Sequence, residues 1–249
     1  MGHKGLAVRA GPASRAGLAS HKGLFTVLLC ASLCFLPDLP GRPGIAGAQQ
    51  DRPKGRLFQP QDLGLLEAPD RDQWQKPDQI MDALGVAEGS VVAELGAAGG
   101  WFTLRLARRV GPNGLVYAED IQPAMLEAIN RRMQNENLSN VKTVLGTSSD
   151  PRLPEGIDAV LIADAFHEMM DAPADPTVIV TLLGNVARSL KPQGRLGVVD
   201  WTPGSGGPGP SADQRVNPET VIAAARSAGL RLVGRDEYPP FVYMVVFGR

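Results

Sequence analysis

The residues with the most chemistry in them fall in one stretch, Val91 to Phe102 (VVAELGAAGGWF), and in an acid 24 positions beyond Gly96. In the stretch an apolar run ends at Glu94, the small residues Gly96-Ala97-Ala98-Gly99-Gly100 come next, and a helical pattern opens near Trp101. Missing side chains let backbone approach a ligand closely, and free N–H groups at the start of a helix face a polar or anionic group. The acid is Asp120, at the end of the next apolar run, where a carboxylate accepts hydrogen bonds from ribose hydroxyls. A small-residue turn alone serves equally well for tight packing of strand on helix. Combined with the acid at this spacing, it points to an adenosine-containing cofactor. Alanine at position 98 breaks the G-x-G-x-x-G fingerprint of dinucleotide binding, which puts a nicotinamide cofactor well behind.

These residues need a scaffold, and the hydrophobic pattern supplies one. Apolar runs at Val91–Ala93, Leu115–Tyr117, Val141–Leu145, Ile157–Ile162 and Arg195–Val199 alternate with helical patterns at 101–110, 123–134, 176–190 and 217–228. Strands apolar on both faces, separated by amphipathic helices, predict a doubly wound, mostly parallel α/β sheet with right-handed crossovers. Leu230–Asp236 and Phe241–Phe247 are separated only by Glu237-Tyr238-Pro239-Pro240, too short for a crossover, so a C-terminal antiparallel hairpin closes the chain. Pro77 and Gly85 bracket a short helix ahead of the first strand. Residues 49–76 are polar and rich in Pro, Gln and Asp, which predicts an extended arm. Thr202–Ser211 (TPGSGGPGPS) predicts a mobile loop on the side of the sheet where ligands bind.

Composition narrows the chemistry. The 249 residues carry 25 Lys+Arg against 26 Asp+Glu and are 43% hydrophobic, a globular composition without the basic excess that a nucleic-acid face requires. Both cysteines, Cys30 and Cys34, and two of the three histidines lie in the first 34 residues, so Cys/His metal sites, disulfides and thiol nucleophiles are not expected beyond them. The first 48 residues read as a leader: Lys4, Arg9, Arg15 and Lys22 are basic, Leu24–Leu36 is an uncharged apolar run, and Ala46-Gly47-Ala48 is a small-x-small site. The run is short for a bilayer span of roughly 20 residues, so a cleaved export signal is preferred to a membrane anchor. A wrongly assigned start codon is the alternative. Without those residues the chain keeps 20 basic and 25 acidic side chains, and a single α/β domain, residues 77–249, accounts for the chain beyond the arm.

The sequence also resembles a known family. E-L-G-A-A-G-G-W-F-T is similar to the first motif of class I S-adenosylmethionine-dependent methyltransferases. V-Y-A-E-D-I-Q-P-A-M-L, I-D-A-V-L-I-A-D-A-F-H-E-M and L-K-P-Q-G-R-L-G-V-V-D-W resemble segments of their second, fourth and fifth strands. The resemblance covers residues 74–249 and implies a seven-stranded sheet and S-adenosyl-L-methionine as cofactor. It implies that Glu94, Gly96 and Ala97 flank the amino-acid part of the cofactor, that Gly100 admits it, that Asp120 binds the ribose hydroxyls, and that Ile121 lies beside the adenine. Asp150 is the candidate for the adenine amine, with Thr147 and Ser148 as rivals.

Methyl transfer is an in-line displacement from a sulfonium, so positioning and removal of a proton are what the protein must supply. Residues after the fourth strand, Asp164 to Glu168, would face the acceptor. His167 is the candidate general base, since imidazole titrates near neutrality, and Asp164 the candidate that orders the site. A role for His167 in holding a loop competes with this. Trp74 is a candidate lid, and Trp201 and Arg215 are candidates for acceptor recognition. Two readings from different classes result: a methyltransferase acting on a small molecule, and a catalytically degenerate, exported binding domain of the same fold. The sequence does not indicate an oligomeric state, and its expected location is secreted or periplasmic with a true signal, cytoplasmic otherwise.

Overall fold

The computed structural model describes residues 57–249 except 172–174, 205 and 239; the leader and the first residues of the arm lie outside the described residues. Among the described residues seven strands form one sheet: β1 (Val91–Leu95), β2 (Leu115–Asp120), β3 (Val141–Leu145), β4 (Ile157–Ala163), β5 (Leu190–Trp201), β6 (Arg231–Tyr238) and β7 (Val242–Gly248). Their order is β3-β2-β1-β4-β5-β7-β6, with only β7 antiparallel to its neighbours. From β1 the chain winds outward through β2 to β3, then returns to β4 on β1's other side. Ligands of open α/β sheets bind at such a reversal, outside the carboxyl ends of the strands.

Seven α-helices of the described residues surround the sheet: α1 (Arg71–Gln75), α2 (Pro77–Ala83), α3 (Trp101–Val110), α4 (Pro123–Asn135), α5 (Phe166–Asp171), α6 (Pro176–Ser189) and α7 (Pro218–Ser227). The period-2 alternation of each strand sends neighbouring side chains to opposite faces. Val92, Leu161, Val199 and Met244 pack with Ile80, Phe102 and Leu106 of α2 and α3. Ala93, Val160, Val198 and Val245 pack with Ile179, Leu183 and Val221 of α6 and α7. Burial on both sides explains why these strands read as continuous apolar runs. Strand β5 extends beyond the expected Arg195–Val199 at both ends: β7 pairs with it to Trp201, and Leu190 pairs with Ile157 of β4.

The arm departs from the extended reading. Pro60 opens a 3-10 helix (Pro60–Leu66), whose first turn suits the fixed φ of proline, and α1 follows after Asp70. Trp74 is buried in the core against Trp201 and Phe241, at 5.3 and 6.1 Å between ring centroids. It therefore docks the arm and is no lid.

The Gly/Pro loop also differs from its sequence reading. Arg215 donates hydrogen bonds to the carbonyls of Thr202, Gly206, Pro208 and Pro210 at 2.8 to 3.4 Å. One fork-shaped guanidinium thus replaces the contacts that a loop poor in side chains cannot make for itself. Arg215→Ala is expected to lower stability by about 1 to 3 kcal/mol. Limited proteolysis should then show cleavage in 202–211 before any elsewhere; an unchanged cleavage pattern would contradict the clamp.

Candidate active site

A cleft lies outside the carboxyl ends of β1, β2 and β4. Its base is the turn Gly96–Gly99; its walls are Glu119–Gln122, Thr147 and Ser148 on one side and Asp164, Ala165, Glu168 and Met169 on the other. The arm roofs it through Leu57, Phe58, Leu66, Glu67 and Arg71. About 1080 Å³ of space free of protein atoms, open solvent at the mouth included, lies between these walls. Phe58 ties the roof to both walls: its N–H donates to Glu168, and the Gln122 side chain donates to its carbonyl.

The turn is built by conformations that its residues tolerate unequally. Gly96 has φ 66°, and a Cβ there would lie 2.8 Å from the Ala165 Cβ, so glycine is needed for both backbone and space. Ala98 is left-handed too, at φ 46°, at a cost of about 1 kcal/mol. Its N–H donates to Asp120 at 3.0 Å, so the added methyl leaves the turn tied to β2. Gly100, φ 77°, is the N-cap of α3 and faces Ile129 and Thr103, outside the cleft wall. A Cβ there would press on Ile129, so glycine at this position lets α3 pack closely on α4.

Two adjacent carboxylates end β2. Asp120 accepts hydrogen bonds from Ala98 N–H and Gln122 N–H, at 3.0 and 2.9 Å, and so fixes the turn as well as lining the cleft. Glu119, which the sequence reading passed over, is 3% exposed and receives Gly96 N–H at 3.4 Å. Gly146 leaves room for it; a Cβ there would collide with its carboxylate. Burial, helped by the charge of Asp120, pushes Glu119 up to about 8. Glu94 is likewise raised by burial, to about 7, although the Thr103 hydroxyl donates to it at 2.5 Å and Arg71 pulls the other way. The doublet Glu119-Asp120 at a strand end was the available signal for the second acid.

The remaining candidates divide. Ala97 and Ile121 line the cleft as expected, and Thr147 and Ser148 do so where Asp150 does not. Asp150 instead closes its own loop, accepting Arg152 N–H and receiving Thr147 N–H on its carbonyl. Asp164 is buried at the end of β4, raised by burial and steadied by Arg71 at 2.6 Å and Gln75 at 3.2 Å. His167 is absent from the cleft wall. Its ring Nδ1 lies 3.0 Å from Asp200, which also accepts the His167 backbone N–H at 2.9 Å. Burial lowers its pKa, but Asp200, with Glu168 and Asp164, outweighs that and holds it at about 9. At neutral pH it is an imidazolium engaged in an ion pair. Trp101 lines the cleft, whereas Trp201 and Arg215 are not part of its wall.

Fold and site together define a class. Residues 92–194 match the family model described as a methyltransferase domain. A solved S-adenosylmethionine-dependent methyltransferase from Aquifex aeolicus superposes over 77% of this chain and 98% of its own, with TM-score 0.70 and 24% identity, which speaks for the fold. The matched segment and the shared fold support a class I S-adenosylmethionine-dependent methyltransferase with S-adenosyl-L-methionine as cofactor. Among curated proteins it is similar to nocamycin O-methyltransferase of Saccharothrix syringae, 29% identical over 50% of this chain and 42% of that protein. It is also similar to the ubiquinone/menaquinone biosynthesis C-methyltransferase UbiE of Pasteurella multocida, 30% identical over 49% of this chain and 44% of that one. The chain thus aligns with less than half of the length of these two relatives.

Proposed function

We propose that this protein transfers a methyl group from S-adenosyl-L-methionine to a small-molecule acceptor. The observation that carries this reading is the charge of the cleft lining: six carboxyl side chains, Glu67, Glu94, Glu119, Asp120, Asp164 and Glu168, against one basic residue, Arg71. Such a wall suits a ligand with a net positive charge and hydroxyl groups to donate, and repels an anionic dinucleotide. When bound, the cofactor supplies a methyl group on a positively charged sulfur. The turn Gly96–Gly99 meets the ligand with backbone alone. Glu119 and Asp120 accept hydroxyl hydrogen bonds, and Ile121, Thr147 and Ser148 flank the far end. Leu57, Phe58, Leu66, Met169 and Leu182 add apolar side chains to the lining, which favours a largely apolar acceptor, in keeping with the small-molecule relatives.

The test is calorimetric titration of the full chain with S-adenosyl-L-methionine and, separately, NAD. Binding of the first alone is expected. In Asp120→Ala the affinity should drop by about 1.5 to 3 kcal/mol, because a charged acceptor is lost and the Ala98 and Gln122 amides are freed together. Unaltered affinity in that variant would remove Asp120 from the site. One observation favours a binding-only domain: His167 is committed to Asp200. Cofactor binding with no methylation of any quinol, phenol or amine offered would support that second reading.

A further inference from the structure

We propose that Arg71, carried by the arm rather than the sheet, anchors the carboxylate of the cofactor's amino-acid part. This rests on reading the cleft as an S-adenosyl-L-methionine site. The molecule carries two positive groups, the sulfonium and the ammonium, and one negative group. In a lining with six carboxyl groups, the single guanidinium is the one cationic side chain with which the ligand carboxylate can pair. Arg71 reaches that position at the junction of β1 and β4, paired with Asp164 at 2.6 Å and within electrostatic range of Glu94.

The side chain is 7% exposed and held from several directions. Its Nε donates to Gln75 at 3.2 Å, Nη1 to the Leu66 carbonyl at 2.8 Å and Nη2 to Asp164. Its Cζ sits 4.1 Å from the centre of the Trp101 ring. These bonds use three of the five N–H groups of a guanidinium. One N–H on each Nη remains beyond these bonds, two donors for a carboxylate. A purely structural pair needs only Asp164; a site set to receive an anion needs the fork fixed and partly unspent. Because Leu66 and Gln75 flank it in the arm, occupancy would also fasten the roof onto the ligand.

The experiment compares ligands with and without that carboxylate. Wild type, Arg71→Met and Arg71→Lys are titrated calorimetrically with S-adenosyl-L-methionine, with S-adenosylhomocysteine and with 5′-methylthioadenosine, which lacks the amino-acid part. Arg71→Met should weaken the first two by about 10- to 100-fold, leave methylthioadenosine within about twofold, and Arg71→Lys should restore part of the loss. Equal weakening of all three ligands would show that Arg71 only docks the arm and would overturn the proposal. Should Arg71→Met fail to fold, Arg71→Lys decides alone: a loss confined to the two carboxylate-bearing ligands supports the anchor, an unchanged ratio refutes it. Failure of wild type to bind either of those ligands would strike the site reading itself, a result separable from the behaviour of the variants.

Discussion

Asp200→Ala is expected to lower the melting temperature by about 10 °C. Asp200 is fully buried on β5 and accepts three hydrogen bonds, from the His167 ring, the His167 backbone N–H and the Trp201 backbone N–H. Removing one member of a buried ion pair leaves the other charge without compensation, which costs about 3 to 5 kcal/mol, and in a domain of this size each kcal/mol shifts the midpoint by about 2 to 4 °C. Asp200→Asn, which keeps one carbonyl oxygen, should lose less. A calorimetric scan in which Asp200→Ala melts with wild type would mean that the pair contributes nothing to the fold. The same pair limits His167 as a base: with its pKa near 9, it accepts a proton only when the solution is more alkaline than that. A rate that depends on free imidazole would therefore still be climbing at pH 8.

The second large effect is a pH dependence with opposite signs for stability and affinity. Glu119 and Glu94 are raised from the usual carboxyl value to about 8 and about 7 by burial. In the free protein they hold protons that the unfolded chain has already released, so their contribution favours folding below pH 4.5 and is lost as pH rises through 7 and 8. His167, which burial lowers but Asp200 raises further, to about 9, likewise stabilises fully below 6.5 and loses that contribution through pH 9. The ligand-free protein should therefore melt progressively lower between pH 6 and pH 9. A cationic ligand acts in reverse, since it favours the ionised carboxylates: its affinity should rise over the same range, with protons released on binding. Titrations in two buffers of different ionisation heat would reveal that release. Affinity that stays flat from pH 6 to 9 would exclude these acids from contact with the ligand's positive charge.

Much of this molecule was legible in its sequence because burial on both faces of a parallel sheet leaves an unmistakable pattern. Helix α3 begins and ends where Trp101 and Val110 predicted, and β3 covers Val141–Leu145 as read. The turn was legible for a local reason: glycine accepts the left-handed conformations found at Gly96 and Gly100 at the least cost. Relations between residues remote in the chain escaped. Arg71 stands 93 positions from Asp164 and Asp200 stands 33 from His167. No periodicity connects such pairs; only the crossovers bring them together. The arm was misjudged because its prolines read as extension, whereas Pro60 starts a helical turn and Trp74 supplies the anchorage that makes the segment fold. Arg215, offered for acceptor recognition, instead serves its own loop, and nothing in a Gly/Pro run signals that the loop's carbonyls turn toward one cation.

The chain has three tryptophans, and their placement gives the protein two separate optical reporters. Trp101 forms part of the cleft wall beneath the Arg71 and Arg105 guanidiniums, at 4.1 and 3.5 Å, so its emission senses charge arriving next to it. Trp74 and Trp201, 5.3 Å apart and inclined at 41°, are close enough for their excited states to couple, so their coupled dichroism is expected to be lost when the arm leaves β5. Ligand arrival and arm release are thus written in two different spectra of the unlabelled protein, and the order of the two events can be read in time from a single mixing experiment.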